Sequence, residues 1–118
     1  MQQPPNQIQL EKRVAITLMD IQGDITALSE PYLNEAYQKA TDQGASRILL
    51  QIDKDAYINS GGIAVLIQIL ALTKQNKQQI GITGITDHFE KIFNMVGITK
   101  FATIYPNVED ALKLMAED

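Results

Sequence analysis

The stretch best suited to chemistry is Asn59-Ser60-Gly61-Gly62, which lies between a short apolar run and the most apolar segment of the chain. This position predicts a helix N-terminus, where the side chain of Asn59 or Ser60 can accept a hydrogen bond from a backbone N–H of the first turn. The two glycines remove side chains there, so another molecule could approach the backbone closely. Exposed N–H groups and the positive end of the helix dipole favour an anion at this place.

The hydroxyl of Ser60 is a group that a kinase could modify. A helix N-terminus tolerates a phosphate, yet the phosphate would add about −1.5 to −2 charges to the surface. Such a change can switch a docking surface on and off. The plainer alternative is a turn that only caps a helix, and spacing does not separate the two. A nucleotide-binding loop fits less well, because the stretch has neither P-loop spacing with its Gly-Lys-Ser/Thr ending nor a G-x-G-x-x-G pattern.

Other residues with reactive side chains have simpler interpretations. His88 follows Asp87 at a predicted helix start, and a capping or solvent-facing role is favoured over catalysis because the sequence places no serine or cysteine partner beside it. Asp53 and Asp55 could suggest a magnesium site, but solvated acids are common where a strand ends in a loop. Tyr57 fits either the core or the apolar edge of a docking surface, whereas a core position is favoured for its neighbour Ile58.

Composition excludes several classes of protein. The 118 residues correspond to one domain, and 45% of them are apolar, which is enough for a buried core. The net charge of −4 argues against nucleic acid as a partner. Cysteine is absent and histidine occurs once, which argues against disulfides, thiolate or multi-histidine metal sites and cysteine nucleophiles. The start of the chain is polar, unlike a secretory signal. A membrane span needs about 20 consecutive apolar residues, and every apolar run in this chain is much shorter. We therefore expect a cytoplasmic protein without metal, cofactor or membrane partner.

Hydrophobic periodicity predicts strands that alternate with helices. Strands are predicted at residues 8–10, 14–18, 47–53, 80–83 and 101–104, with Val14, Ile16 and Leu18 inward. Helices are predicted from Ser29, which should cap the first, and from Ser60, His88 and Val108. The helix from Ser60 to about Lys77 is apolar on almost all sides and should be largely buried. The core should further include Phe89, Ile92, Phe93, Met95 and Val96 of the third helix.

The alternation predicts an α/β fold in one domain over residues 1–118, with residues 1–7 as a flexible N-terminus. We expect a mixed, mostly parallel sheet of four to five strands and about four helices. Right-handed crossovers would place the loops that leave the strands on one rim of the sheet. Two of those loops, Gly23-Asp24 and residues 55–62, contain the residues of interest.

Residues 53–66, which contain the Asn-Ser-Gly-Gly turn, resemble the signature of STAS domains, specifically the stand-alone anti-sigma factor antagonists. The family pattern is an apolar strand, a short loop, Asp-Ser-Ser-Gly-Leu/Ile and an apolar helix. Ile21-Gln-Gly-Asp-Ile25 is similar to the family's Leu-x-Gly-Glu-Leu, and residues 92–98 and 108–112 resemble its later segments. The similarity spans nearly the whole chain, from about residue 8 to residue 115.

The resemblance implies that Ser60 is the serine phosphorylated by a partner kinase. Asn59 stands where the family usually has aspartate, Gly61 where it often has a second serine, and Thr26 replaces a frequent aspartate. Asparagine retains the capping ability and removes a negative charge beside Ser60, but a kinase that reads the aspartate would lose that signal. The implied partner-binding surface comprises Gly23, Asp24, Asp55, Tyr57, Asn59, Ser60, Gly61 and Gly62.

The function implied by the resemblance is that of a bacterial signalling protein in transcription regulation, and not that of an enzyme. The unphosphorylated form would bind an anti-sigma factor with serine kinase activity and thereby release a sigma factor. Phosphorylation would dissociate this complex, and a serine phosphatase would reset it. A monomer or weak homodimer is expected. Two alternatives stay open: a STAS-type scaffold or adaptor in which Ser60 only caps a helix, and a nucleotide-binding protein or small enzyme that uses the glycine turn as an anion pocket.

Overall fold

The computed structural model describes residues 4–117, which form five strands and four α-helices. The strands are β1 (Gln7–Arg13), β2 (Ile16–Gln22), β3 (Arg47–Ile52), β4 (Gln79–Thr83) and β5 (Thr103–Ile104). The helices are α1 (Glu30–Asp42), α2 (Ser60–Gln75), α3 (Asp87–Met95) and α4 (Val108–Ala116). Short 3₁₀ turns occupy Ala27–Ser29 and Ile98–Lys100.

The strands form a single mixed sheet in the order β1-β2-β3-β4-β5. β1 and β2 are an antiparallel hairpin, while β2 to β5 run parallel to one another. Parallel neighbours need a crossover connection, and α1, α2 and α3 supply these between successive strands. The predicted α/β fold with a mixed, mostly parallel sheet and four helices is thus confirmed.

The alternation of side chains along the strands divides the core between the two faces of the sheet. On one face, Met19 and Leu50 pack in a large cluster with residues of α1, α2 and α3, such as Leu66 and Phe93. On the other face, Leu18 and Leu49 pack with the buried residues of α4. The loops that follow β2 and β3 therefore emerge from the part of the sheet that is packed on both faces.

Several predicted core positions are wrong because elements end sooner, or start later, than the apolar pattern suggests. Val14 is 92% exposed in the β1–β2 turn with a φ of 57°, so it does not belong to β2. In the third helix Phe93 is buried, but Met95 is 84% and Val96 is 45% exposed, since α3 ends there and the chain turns at Gly97. The last strand, predicted from Phe101, begins only at Thr103, and Phe101 is 42% exposed.

The prediction that α2 is largely buried is correct for only one side of the helix. Val65, Leu66, Ile69, Leu70 and Thr73 face the core. Ile67 and Leu72 are each 37% exposed, because a helix that lies on a sheet has an outer side that no neighbour covers. Apolar side chains therefore remain on the outer side of α2, which begins at Ser60.

The start of the chain is attached to the sheet more closely than the sequence suggests. β1 begins at Gln7, and the side chain of the buried Asn6 donates hydrogen bonds to the carbonyl oxygens of Gln22 and Asp24. These residues fall within the predicted flexible segment 1–7, of which residues 1–3 lie outside the described part. Among the described helices, none has both the length and the apolar character needed to cross a membrane.

Candidate functional site

Asn59 caps the N-terminus of α2. Its backbone is extended (φ −100°, ψ −178°), and its Oδ1 accepts a hydrogen bond of 2.9 Å from the N–H of Gly62. Its carbonyl oxygen accepts from the N–H of Ile63 at 2.9 Å. Of the two capping residues that the sequence allows, the structure assigns this role to Asn59, which leaves the Ser60 hydroxyl available for another role.

Ser60 is the first residue of α2 and is exposed to solvent. Within residues 4–117 its hydroxyl makes no hydrogen bond, so neither packing nor a partner restrains it. The N–H groups of Ser60 and Gly61 precede the first backbone hydrogen bond of the helix, the one from Ile63 to Asn59. The site therefore combines an accessible nucleophilic oxygen with N–H groups that can face an anion.

The two glycines after Ser60 are required by the protein's own packing. A Cβ on Gly62 would lie 2.0 Å from the carbonyl oxygen of Ile25, and a Cβ on Gly61 would lie 3.0 Å from the backbone nitrogen of Ala27. The expectation that these glycines admit another molecule to the backbone is therefore wrong, because residues 25–27 already occupy that space. For the same reason, a nucleotide phosphate bound by the glycine turn would find no space beside Gly62.

The loops after β2 and β3 are joined by backbone pairing. Ile25 and Ile58 form a parallel bridge, in which the N–H of Ile25 donates to the carbonyl oxygen of Tyr57 at 2.9 Å. The N–H of Tyr57 donates in turn to Oδ1 of Asp24 at 2.9 Å, and the N–H of Asn59 donates to the carbonyl oxygen of Ile25 at 3.3 Å. Asp24 therefore holds the segment that precedes Ser60. The structure brings both predicted loops together on one rim of the sheet.

Gly23 and Ser29 shape the first of these loops. Gly23 has a φ of 100°, and a Cβ there would lie 2.3 Å from the carbonyl oxygen of Pro5, so the position needs glycine for the fold itself. The predicted capping of α1 by Ser29 is wrong, since its side chain makes no bond to that helix. Instead the buried Ser29 hydroxyl accepts from the N–H of Thr26 and donates to the carbonyl oxygen of Asp24.

The remaining candidates have local roles. Oδ1 of Asp53 accepts from the N–H of the exposed Asp55 at 3.0 Å, a side-chain turn that shapes the loop. In residues 4–117 no group of three or more histidine or acidic side chains is arranged to hold a metal ion. His88 is exposed, and the hydroxyl of Thr86 caps α3 by accepting from the N–H of Phe89 at 3.3 Å. His88 thus faces solvent, one of the two roles favoured for it.

Apolar side chains with exposed surface occur on the segments that meet at the start of α2. Tyr57, left open by the sequence, is 62% exposed, whereas Ile58 is buried as expected. Leu28 is 73% exposed in the 3₁₀ turn that packs against the start of α2, and sequence reasoning missed it because a three-residue turn has no hydrophobic period. Ile63, which is partly buried against the core, and Ile67, which is 37% exposed, follow Ser60 at helical spacing on α2. We call Leu28, Tyr57, Ser60, Ile63 and Ile67 the Ser60 face.

Comparison with known proteins agrees with this architecture. A model of the STAS domain family matches residues 7–111, from the start of β1 into α4. This chain belongs to the STAS domain family. The match extends over both loops of the candidate site and over the sheet that supports them.

Relatives of this STAS domain include anti-sigma factor antagonists. The anti-sigma-B factor antagonist of Staphylococcus aureus is 22% identical over 76 residues, which are 64% of this chain and 70% of the relative. The crystal structure of an anti-sigma factor antagonist from Mycobacterium paratuberculosis aligns with a TM-score of 0.75 at 18% identity and covers 92% of each chain.

A third relative has been solved in two phosphorylation states. The Bacillus anti-sigma factor antagonist SpoIIAA in its unphosphorylated form aligns with a TM-score of 0.72 at 14% identity over 95% of this STAS domain and 98% of SpoIIAA. Its phosphorylated form aligns with a TM-score of 0.65 at 14% identity over 92% and 99% of the two chains. These similarities show a common fold.

The capping geometry predicts different stabilities for two neighbouring alanine variants. Asn59→Ala removes the side chain that satisfies the Gly62 N–H, so we expect it to lower the free energy of unfolding by about 1 kcal/mol. Ser60→Ala removes a solvated hydroxyl and should change it by less than about 0.5 kcal/mol. Urea unfolding followed by circular dichroism measures both. A larger loss in Ser60→Ala than in Asn59→Ala would contradict the assigned cap.

Proposed function

We propose that this STAS domain is an anti-sigma factor antagonist that works as a phosphorylation-controlled protein-binding switch. The observation that carries the proposal is the exposed, unbonded hydroxyl of Ser60 at the start of α2, at the motif position whose serine is modified in the family. The relatives named above support it, since they are anti-sigma factor antagonists.

The unphosphorylated form binds an anti-sigma factor with serine kinase activity through the Ser60 face, and this frees a sigma factor for transcription. Leu28 and Tyr57 are exposed by 73% and 62%, so covering them with a partner removes apolar surface from water. The packed sheet and the Asp24–Tyr57 hydrogen bond hold the face in one conformation, so that little ordering is needed when the partner binds.

Phosphorylation of Ser60 breaks this complex because it places a dianion within an apolar contact. The fold itself tolerates the phosphate, since the N–H groups of Ser60 and Gly61 and the dipole of α2 favour an anion. Asn59 satisfies the cap without a negative charge of its own. At the interface, however, an unpaired phosphate must lose its water shell, which costs several kcal/mol.

The protein is in this scheme a substrate for the kinase and not itself an enzyme. It works in the cytoplasm with two protein partners, the anti-sigma factor kinase and a serine phosphatase that removes the phosphate. It needs no cofactor, since the only chemistry occurs at the Ser60 oxygen and is performed by the partners. The existence of SpoIIAA in phosphorylated and unphosphorylated forms supports a cycle of this kind.

Mapping of the phosphate after incubation with the cognate kinase and ATP tests the proposal. The chain has three serines, of which Ser29 is buried while Ser46 and Ser60 are exposed. We expect mass spectrometry to find one phosphate on Ser60, Ser60→Ala to abolish it, and the control Ser46→Ala to leave it unchanged. Phosphate on another residue would contradict the proposed switch.

A second candidate function is a STAS-type scaffold or adaptor without serine phosphorylation. It is favoured by the cap at Asn59, which replaces the usual aspartate of the motif and has a sufficient structural role in this fold. The same experiment separates the two functions. A chain that takes up no phosphate from the kinase, or takes it up on a residue other than Ser60, supports the scaffold.

A further inference from the structure

Three lysines surround a pocket at the end of α2 that is opposite to Ser60. The pocket has a volume of about 280 Å³ and is lined by Thr73, Lys74, Lys77, Gln78, Lys100 and Phe101. We call it the lysine pocket. It contains three of the ten basic residues of a chain whose net charge is −4, and none of its lining residues is acidic.

The dipole of α2 explains the presence of lysines at this pocket only in part. A positive charge near the last turn of α2 interacts favourably with the helix dipole, which accounts for Lys74 and Lys77. Lys100 comes from a different element, the 3₁₀ turn before β5. The ion pair found within residues 4–117 lies on β1, between Arg13 and Glu11, and involves none of these lysines. Ammonium groups near one pocket repel one another, and an anion bound among them offsets this repulsion.

The pocket also has an apolar part. Phe101 is 42% exposed, and the ammonium group of Lys74 lies 5.5 Å from the centre of its ring. The hydroxyl of buried Thr73 donates a hydrogen bond within α2, and the side-chain amide of Gln78 donates to α1 and to the segment before β3. These groups therefore shape the pocket but have no free donor for a ligand. A ligand that fits this lining carries negative charge beside an apolar group.

We propose that the lysine pocket binds an acidic segment of a partner protein, with carboxylates facing Lys74, Lys77 and Lys100 and an apolar side chain against Phe101. Lysines suit such a ligand because they act as point charges and do not require the paired geometry that arginine provides. The sixteen residues of α2 place this pocket about 20 Å from Ser60. That separation exceeds the screening length of about 8 Å at physiological ionic strength, so a charge on Ser60 has little influence on the pocket.

A peptide titration with charge-matched variants tests the proposal. The probe is a fluorescein-labelled peptide of alternating glutamate and leucine, and its anisotropy is measured with the full chain at low and at physiological salt. We expect the triple variant K74Q/K77Q/K100Q to bind the peptide about tenfold more weakly or worse. The control K12Q/K39Q/K113Q loses the same charge at other places and should bind within about twofold of the unmodified chain.

Additional variants and probes identify the class of ligand and distinguish binding at the lysine pocket from the proposed switch at Ser60. Phe101→Ala should reduce binding of the glutamate–leucine peptide to the level of an all-glutamate peptide, and Ser60→Asp should leave both unchanged. Equal losses in the two triple variants, with both still folded by circular dichroism, would overturn the pocket. Lysine-dependent binding of inorganic tripolyphosphate without binding of either peptide would overturn the partner segment in favour of a small anion.

Discussion

Replacing Ser60 by aspartate is expected to weaken binding to the cognate anti-sigma factor by about tenfold or more. The substitution places one permanent charge on the Ser60 face, which also includes the exposed side chains of Leu28 and Tyr57. The charge must be desolvated when a partner covers these residues, and that cost appears as a faster dissociation rate. Surface plasmon resonance with immobilised anti-sigma factor measures both the affinity and the dissociation rate.

Two further variants at Ser60 separate charge from size. Ser60→Asn has nearly the shape of aspartate without its charge, and it should retain most of the affinity. Ser60→Ala should bind like the unmodified chain and should remain bound when ATP is added, because it cannot accept a phosphate. None of these changes removes the cap, which belongs to Asn59. Equal affinity of the aspartate variant and the unmodified chain would refute a switch that acts through charge.

Gly62→Ala is expected to be the most damaging small substitution at the site, with a loss of about 3 kcal/mol or more in the free energy of unfolding. The added Cβ would lie 2.0 Å from the carbonyl oxygen of Ile25, which is backbone and cannot rotate away. Either α2 or the segment that carries Leu28 must move. The variant should therefore also lose affinity for the anti-sigma factor, since these two elements form the Ser60 face.

Alanine substitutions at two other glycines give reference values for the stability loss expected in Gly62→Ala. At Gly44 the φ is 87° and no atom would lie within 4 Å of an added Cβ, so Gly44→Ala measures the cost of the left-handed conformation alone, about 1 kcal/mol. At Gly61 the nearest atom to an added Cβ is the nitrogen of Ala27 at 3.0 Å, so Gly61→Ala should fall between these extremes. Urea unfolding ranks the three, and a Gly62→Ala chain as stable as Gly44→Ala would contradict the contact with Ile25.

The sequence predicts the architecture well, because the spacing of apolar residues along a segment indicates both its secondary structure and the side that faces the core. In α1 the four apolar residues at helical spacing, Leu33, Ala36, Tyr37 and Ala40, are all buried. The short apolar run of β3 is covered on both faces, as expected of a central strand. Periodicity predicts the wrong burial for Val14 and Met95, which lie at the ends of their elements. The spacing of apolar residues does not indicate where a strand or helix ceases to pack against its neighbours.

The site was predictable in position but not in the role of each residue. The Asn-Ser-Gly-Gly turn determined by itself that a helix begins at this point and that a serine hydroxyl stands at its start, since both follow from adjacent residues. Only the tertiary structure decided that Asn59 is the cap, that Gly62 makes room for the carbonyl oxygen of Ile25, and that the 3₁₀ turn with the exposed Leu28 packs against α2. These facts depend on how the loop after β2 pairs with the loop after β3, more than thirty residues further along, which the spacing of residues along a chain does not encode.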